Sequence, residues 1–297
     1  MATRLIPPGA REDFVSVHGR VRILRAGTGQ DGAVPALLVH GGGYDTSAIS
    51  WFHLFGALGS ERPVVAVDLP GFGGSIEAPP VGGPDRMAAV VADVMDALGI
   101  EPAVVFGCSM GGDVALHLAL ARPALVAGLV LVGPGGLTPV VKSRLTHTLA
   151  WAATRLPDRI FLPATRLANR FAGAALQRFV HDRDAIPEQV LNEFIAEAKH
   201  PRAGIAYGRY NQATIGWRRM RQDVTQHLCR ITVPTLIVHG AEDVLVDTAD
   251  SRRAAGLMPD ATLVIVPDCG HWAQLERPEI FLEESRSLLA RVDAARR

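Results

Sequence analysis

The chain has 297 residues, 48% of them apolar and 20% charged, the make-up of a globular protein long enough to bury a sizeable core. Its 30 basic and 30 acidic residues cancel, which removes the electrostatic footprint expected of a partner for nucleic acid or an anionic membrane. Three widely spaced cysteines, Cys108, Cys229 and Cys269, fit neither a disulfide framework nor a zinc site and suit a reduced compartment.

The first residues, Met1 to Asp13, lack the apolar core of a signal peptide. The most apolar stretch, Ala103 to Gly133, is broken by Asp113, His117 and Arg122, which argues against a membrane span. A soluble, cytoplasmic protein is the expectation. Phe14 to Val17 and Val21 to Leu24 flank the turn His18-Gly19-Arg20 and predict a β-hairpin. The run Gly27-Thr28-Gly29-Gln30-Asp31-Gly32 satisfies G-x-G-x-x-G, but a strand follows it. A dinucleotide site needs a helix there to meet the pyrophosphate, so that reading is rejected.

Short apolar runs then recur at Ala36 to Val39, Pro63 to Val67, Ala103 to Phe106, Leu129 to Val132, Thr235 to Val238 and Thr262 to Val266. Most lead through a glycine-bearing loop into a helical stretch, such as Arg86 to Leu98 or Asp113 to Leu120. This alternation predicts an α/β protein with a mainly parallel sheet covered on both faces. Between about Pro134 and Arg230 the rhythm changes to amphipathic helices. In Pro187 to Lys199, for example, Val190, Leu191, Phe194, Ile195 and Ala198 follow helical spacing. The expected organisation is a core of residues 1–133 and 231–297 with a helical cap, 134–230, inserted between strands. Pro278 to Arg291 is predicted as the last packing helix.

Val104-Val105-Phe106-Gly107-Cys108-Ser109-Met110-Gly111-Gly112 carries the strongest chemical signal. Gly107 and Gly111 frame a G-x-S-x-G nucleophile elbow between a strand and a helix, which presents the Ser109 hydroxyl above the sheet edge. A serine needs a base within hydrogen-bond reach. Among ten histidines, His271 is the one that follows the last strand in Pro267-Asp268-Cys269-Gly270-His271-Trp272. His40 and His239 end strands before glycines and read as structural. The base in turn needs a carboxylate, and Asp243 stands in the loop after Thr235 to Val238; Glu242 is expected to point away and Asp247 to cap the next helix. The order Ser–Asp–His is the one α/β-hydrolases use. The amides of Gly42, in His40-Gly41-Gly42-Gly43, and of Met110 are the expected oxyanion donors. Gly41, Gly43, Tyr44, Cys108 and Trp272 are the candidate substrate contacts.

These pieces, with Asp68-Leu69-Pro70-Gly71-Phe72-Gly73-Gly74-Ser75, resemble the α/β-hydrolase superfamily over nearly the whole chain. The resemblance implies an eight-stranded, mostly parallel sheet with helices on both faces and a helical cap. Ser109-Met110-Gly111-Gly112, Gly133-Pro134-Gly135-Gly136 and Cys269-Gly270-His271-Trp272-Ala273-Gln274 are similar to the meta-cleavage-product hydrolases, which break C–C bonds in vinylogous diketones. Two positions depart from that group. Cys108 stands where it has asparagine, and Phe194 falls in register with its carboxylate-binding cap arginine.

The expected activity is therefore hydrolysis, through an acyl-enzyme on Ser109, of a small and largely apolar carboxylic ester or related carbonyl compound. C–C bond hydrolysis is the alternative. Acyl transfer and a non-catalytic ligand-binding role are carried as further readings, since fold alone does not fix function. A small-molecule substrate is expected, with no nucleic acid or membrane partner and no metal or organic cofactor. The oligomeric state is left open, a homodimer included.

Overall fold

The computed structural model describes residues 4–27, 32–100, 102–169, 176 and 178–296; residues 28–31 of the rejected glycine run lie outside it. Eight strands form one sheet: β1 (Arg11–Ser16), β2 (Arg20–Ala26), β3 (Ala36–Val39), β4 (Val64–Val67), β5 (Ala103–Cys108), β6 (Val126–Val132), β7 (Thr235–Gly240) and β8 (Ala261–Val266). Their spatial order is β1-β2-β4-β3-β5-β6-β7-β8. β2 pairs antiparallel with both neighbours, and every other pairing is parallel. The predicted hairpin is β1–β2.

Side chains alternate along each strand, so one set feeds each face. Leu38, Phe106, Val130 and Leu236 pack with Trp51, Phe55 and Phe281 on one side. Leu37, Val105, Leu131 and Ile237 pack with Met87, Val91, Val114 and Leu118 on the other. β6 begins at Val126, three positions before the apolar run that announced it, because Gly128 interrupts the pattern. A methyl group on Gly128 would lie 3.1 Å from Val292 and 3.2 Å from the Pro234 carbonyl. The glycine lets the last helix lie close to the sheet.

Helices cover both faces. α1 (Ser47–Ser50) and α2 (Leu54–Gly59) follow β3, α3 (Pro84–Leu98) follows β4, and α4 (Met110–Ala121) follows β5. α3 opens on Pro84 and ends at Gly99 with φ 63°, the pairing of N-terminal proline and left-handed C-terminal glycine that physical preference dictates. Between β6 and β7 stand α5 (Arg144–Thr154), α6 (Asp158–Asn169), α7 (Glu188–Ala198) and α8 (Ile205–Thr214), with one isolated β-bridge, Ile215 to Met220. This is the helical cap. α9 (Thr248–Leu257), α10 (Ala273–Glu276) and α11 (Pro278–Ala295) complete the core. Among the described residues, no helix is long and apolar enough to cross a membrane.

The cap is fastened to the core by buried polar groups. Tyr210 of α8 donates to Asp113 of α4 at 2.6 Å. The Glu276 carboxylate accepts from the amides of His181 and Asp182 in the cap, at 2.8 and 2.9 Å, and from Gly270 at 3.1 Å.

The motif Asp68 to Ser75 has a structural reason too. Asp68 accepts from the amides of Ser47 at 2.9 Å and Gly74 at 2.8 Å, and from Arg22 at 3.1 Å. Arg22 is 1% exposed. Burial alone would raise the Asp68 carboxyl, but the charge of Arg22 and these amides hold it below its usual range. A depressed folded pKa stabilises the fold above the ordinary carboxylate range, and that contribution fades as pH falls through the folded value. Asp68→Ala is expected to cost about 3–5 kcal/mol in urea unfolding at pH 7, because it removes the buried partner of Arg22, which keeps only the half-exposed Glu12 at 2.6 Å, and leaves the Ser47 and Gly74 amides unpaired. The difference from wild type should shrink toward pH 3; a constant difference would contradict the pairing.

Candidate active site

β5 ends at Cys108, α4 starts at Met110, and Ser109 alone makes the turn with φ 52° and ψ −115°. A left-handed φ in a non-glycine residue stores about 1–3 kcal/mol, which only the surrounding packing sustains. That packing is tight. A methyl on Gly107 would lie 2.4 Å from the Gly111 carbonyl oxygen, and one on Gly111 would lie 2.2 Å from the Val39 carbonyl oxygen. Both framing glycines are thus required by close backbone approach.

Asp243 follows β7 and His271 follows β8. His271 Nδ1 lies 2.6 Å from Asp243 Oδ2, so Nδ1 carries the donated proton and Nε2 is left as an acceptor. The other carboxylate oxygen accepts from the amides of Leu245 at 2.7 Å and Val246 at 3.1 Å. His239 Nε2 stands 3.1 Å from Oδ2, while its Nδ1 meets Ser251 at 2.7 Å. Burial would raise the Asp243 carboxyl, but attraction to His271 and hydrogen bonds from His239 and His271 outweigh it and hold the group well below its usual range. Asp243 therefore stays anionic beside the imidazole. Glu242 is exposed, and Asp247 caps α9 through the Ala249 amide at 2.9 Å.

The three loops meet at Gly133. Ser109 N donates to Val132 O at 2.9 Å, and Gly133 N donates to Val238 O at 3.1 Å. A methyl on Gly133, whose φ is +45°, would lie 3.0 Å from His271 Nδ1 and 3.1 Å from Asp243 Oδ2. The Ser109 hydroxyl makes no hydrogen bond among the described residues. The carboxylate–imidazole pair is assembled, and the serine is brought to it by backbone bonds through Val132 and Gly133.

His40 fixes the glycine loop. Its Nε2 accepts from the Leu69 amide at 3.0 Å, so Nδ1 donates to the Gly41 carbonyl at 2.7 Å. That carbonyl shares a peptide plane with the Gly42 N–H, which must point the opposite way. A methyl on Gly42 would lie 2.3 Å from the Tyr207 ring, so cap helix α8 covers this loop directly. The Met110 amide lies in the first turn of α4, where helical geometry leaves it without an intrahelical acceptor.

A cavity of about 740 Å³ opens between core and cap. Ser109, Met110 and Asp243 line its core side, Tyr207, Tyr210 and Ile215 its cap side, and Gly135 to Lys142 and Ala241 to Asp250 supply much of the rest. The candidate substrate contacts named from the sequence lie elsewhere. Gly41 is buried against Asp45, and Cys108 is wholly buried. Gly43 and Tyr44 border a separate crevice of about 10 Å³. Trp272 is 3% exposed and packs edge-on against Phe179 and Phe194, with centroids 5.0 and 5.7 Å apart. Strand alternation already contained part of this correction, since a residue next to an outward serine faces the opposite way. Nothing in the sequence pattern marked 135–142 as lining.

Over residues 35–278 the sequence matches the alpha/beta hydrolase fold family. It is 29% identical to a 2-hydroxy-6-oxo-6-(2'-aminophenyl)hexa-2,4-dienoic acid hydrolase of Metapseudomonas resinovorans, covering 94% of this chain and 91% of that protein. It is 33% identical to the dihydrolipoyllysine-residue acetyltransferase component of the acetoin cleaving system of Cupriavidus necator, covering 92% of this chain and 67% of that one. The solved structure of a serine hydrolase involved in carbazole degradation superposes with a TM-score of 0.73 at 27% identity, covering 95% of this chain and 99% of that one.

Gly133→Ala is expected to displace the Asp243–His271 pair and lower esterase or hydrolase turnover by about 100-fold, the penalty of roughly 1 Å misplacement, with far-UV circular dichroism unchanged. Full activity in a folded Gly133→Ala variant would contradict the packing argument.

Proposed function

Because this chain belongs to the α/β-hydrolase-fold family and is an enzyme of the serine-hydrolase kind, we propose that it hydrolyses the C–C bond beside the ketone of a 2-hydroxy-6-oxo-dienoate. The observation that carries the chemistry is the Asp243–His271 pair, 2.6 Å apart, packed across Gly133 from the Ser109 elbow. The sequence alone put a carboxylic ester first. Kinship with a dienoic acid hydrolase over 94% of the chain moves C–C cleavage ahead of it.

In this reading the dienol first takes its keto form, the C2 hydroxyl proton moving to C5, so that C5 is a tetrahedral carbon joined through C3=C4 to the C2 ketone. Ser109 Oγ attacks the C6 ketone carbon while its proton passes to His271 Nε2. The amides of Gly42 and Met110 hold the oxyanion, the largest single contribution in such sites. Collapse then breaks the C5–C6 bond and delocalises its electron pair onto the C2 oxygen, which makes carbon a tolerable leaving group. His271 gives its proton to that oxygen. Water, activated by the same imidazole, then cleaves the Ser109 ester and releases a carboxylic acid. Asp243 keeps His271 in the Nδ1–H tautomer throughout.

Lys142 supports an anionic substrate, because it is the cation among the lining residues and has no ion-pair partner among the described residues. Asp250, which also lines the cavity, is already engaged by Thr138 and Arg253. Ester hydrolysis is the second reading. The observation favouring it is Phe194, which stands in an aromatic cluster with Tyr44, Phe179 and Trp272 where a carboxylate clamp was sought.

A coloured 2-hydroxy-6-oxo-dienoate should be bleached by wild type and about 10⁴-fold more slowly by Ser109→Ala. Lys142→Met should raise KM for it about tenfold, as loss of a charge-assisted contact does, and leave a neutral p-nitrophenyl ester unaffected. Wild type that leaves such dienoates coloured while cleaving the ester would replace the first reading with the second.

A further inference from the structure

Beneath the site lies a set of buried polar groups that the reaction steps above do not use. Asp45, 2% exposed, follows the glycine loop directly. Its Oδ2 accepts from the Gly41 amide at 2.8 Å and from the Ser50 hydroxyl at 2.5 Å, and its Oδ1 accepts from the Thr46 amide at 2.8 Å. Ser50, on α1, also accepts from the Gly41 amide at 3.4 Å. Gln274, on α10 three residues past His271, donates to Cys108 Sγ at 3.5 Å. Ser50, Cys108 and Gln274 are each 0% exposed.

The protons fix the direction of these bonds. Burial and the nearby Asp45 charge push the Cys108 thiol well above its usual range, so it is an S–H and not a thiolate. Cys108 accepts from Gln274, and Ser50 spends its one proton on Asp45. The donors that converge on the Asp45 carboxylate are the Ser50 O–H and the Gly41 and Thr46 N–H groups, in a low-dielectric interior that strengthens each bond. The carboxylate grips Gly41 N–H, while His40 grips Gly41 C=O at 2.7 Å. The peptide carrying the Gly42 amide is thus held from both sides of Gly41.

We propose that Asp45, backed by Ser50, is a positioning residue for the oxyanion-binding amide of Gly42, bracing the glycine loop against α1. Cys108 lies apart from this group, buried beneath the elbow as an acceptor from Gln274. The inference rests on Ser109 and the Gly42 amide acting as proposed, but not on the identity of the substrate.

The test uses the full chain and a fluorophosphonate probe, which needs an activated Ser109 and an oxyanion site whatever the natural substrate. Its labelling rate is compared for wild type, Asp45→Asn, Ser50→Ala and Ser50→Thr, alongside affinity for a simple alkyl boronic acid and thermal unfolding. Asp45→Asn and Ser50→Ala should slow labelling and weaken the tetrahedral boronate adduct, each about 10- to 100-fold. KM for a p-nitrophenyl ester should move less than about twofold. Ser50→Thr, which restores the hydroxyl, should recover most of the loss. If Asp45→Asn does not fold, Ser50→Ala carries the comparison. Folded variants that label at the wild-type rate overturn this proposal alone. A wild type that never labels overturns it together with the serine assignment.

Discussion

A carboxylate that burial alone would neutralise is kept charged by two histidines, and the site depends on that constraint. Asp243 lies at the carboxyl end of β7 with Oδ2 2.6 Å from His271 and 3.1 Å from His239. Such a charge survives away from water only if its lone pairs are filled, and the Leu245 and Val246 amides fill the rest. Removing His239 leaves this buried charge a partner short beside the His271 imidazole. The carboxylate therefore determines tautomer and ring direction, and Gly133 determines how closely the elbow approaches.

Precision is inherited from the parallel sheet. β5, β6, β7 and β8 are hydrogen-bonded neighbours in register, so the loops at their carboxyl ends emerge side by side. The remaining freedom is removed by backbone contacts too close for any side chain at Gly107, Gly111 and Gly240, and by the close approach of the His271 and Asp243 side chains to Gly133. A methyl on Gly240 would lie 1.9 Å from the Gly270 carbonyl oxygen. The cap is part of the same construction. The Phe179 carbonyl accepts from the His271 amide at 2.8 Å, and Glu276 holds Gly270, His181 and Asp182 together. Cap and histidine loop are therefore tied directly to each other, and Tyr207 covers the loop that bears Gly42.

Much of this was legible before any coordinates, for physical reasons. Buried parallel strands read as continuous apolar runs, and an elbow that tolerates no side chains must spell glycine on both sides of its serine. The candidate triad could be picked because each member follows a strand in a fixed order. The cavity could not. Residues 135–142 and the faces of α8 are placed by tertiary packing, and helical periodicity says which side of a helix is apolar without saying what it meets. Tyr44 and Trp272 are large aromatics near motif glycines and fit core and pocket equally well; both pack against Phe194, but Trp272 is buried in the core while Tyr44 stays half-buried at the edge of a small crevice. Cys108 was misplaced because adjacency in sequence was given more weight than strand alternation. The substrate class moved from ester toward C–C cleavage on kinship, and Lys142, on a connecting loop with φ 49°, carries no motif at all.

The central claim is that the Ser109 oxygen becomes the acyl carrier during turnover. Acid-quenching the enzyme within its first turnovers and mass-mapping the peptides reads this directly. The account predicts an added acyl group on the peptide containing Ser109 in wild type and none in His271→Gln, which lacks the base that activates the hydroxyl. An unmodified Ser109 peptide during active turnover, or an acyl group borne by Cys108, would contradict it.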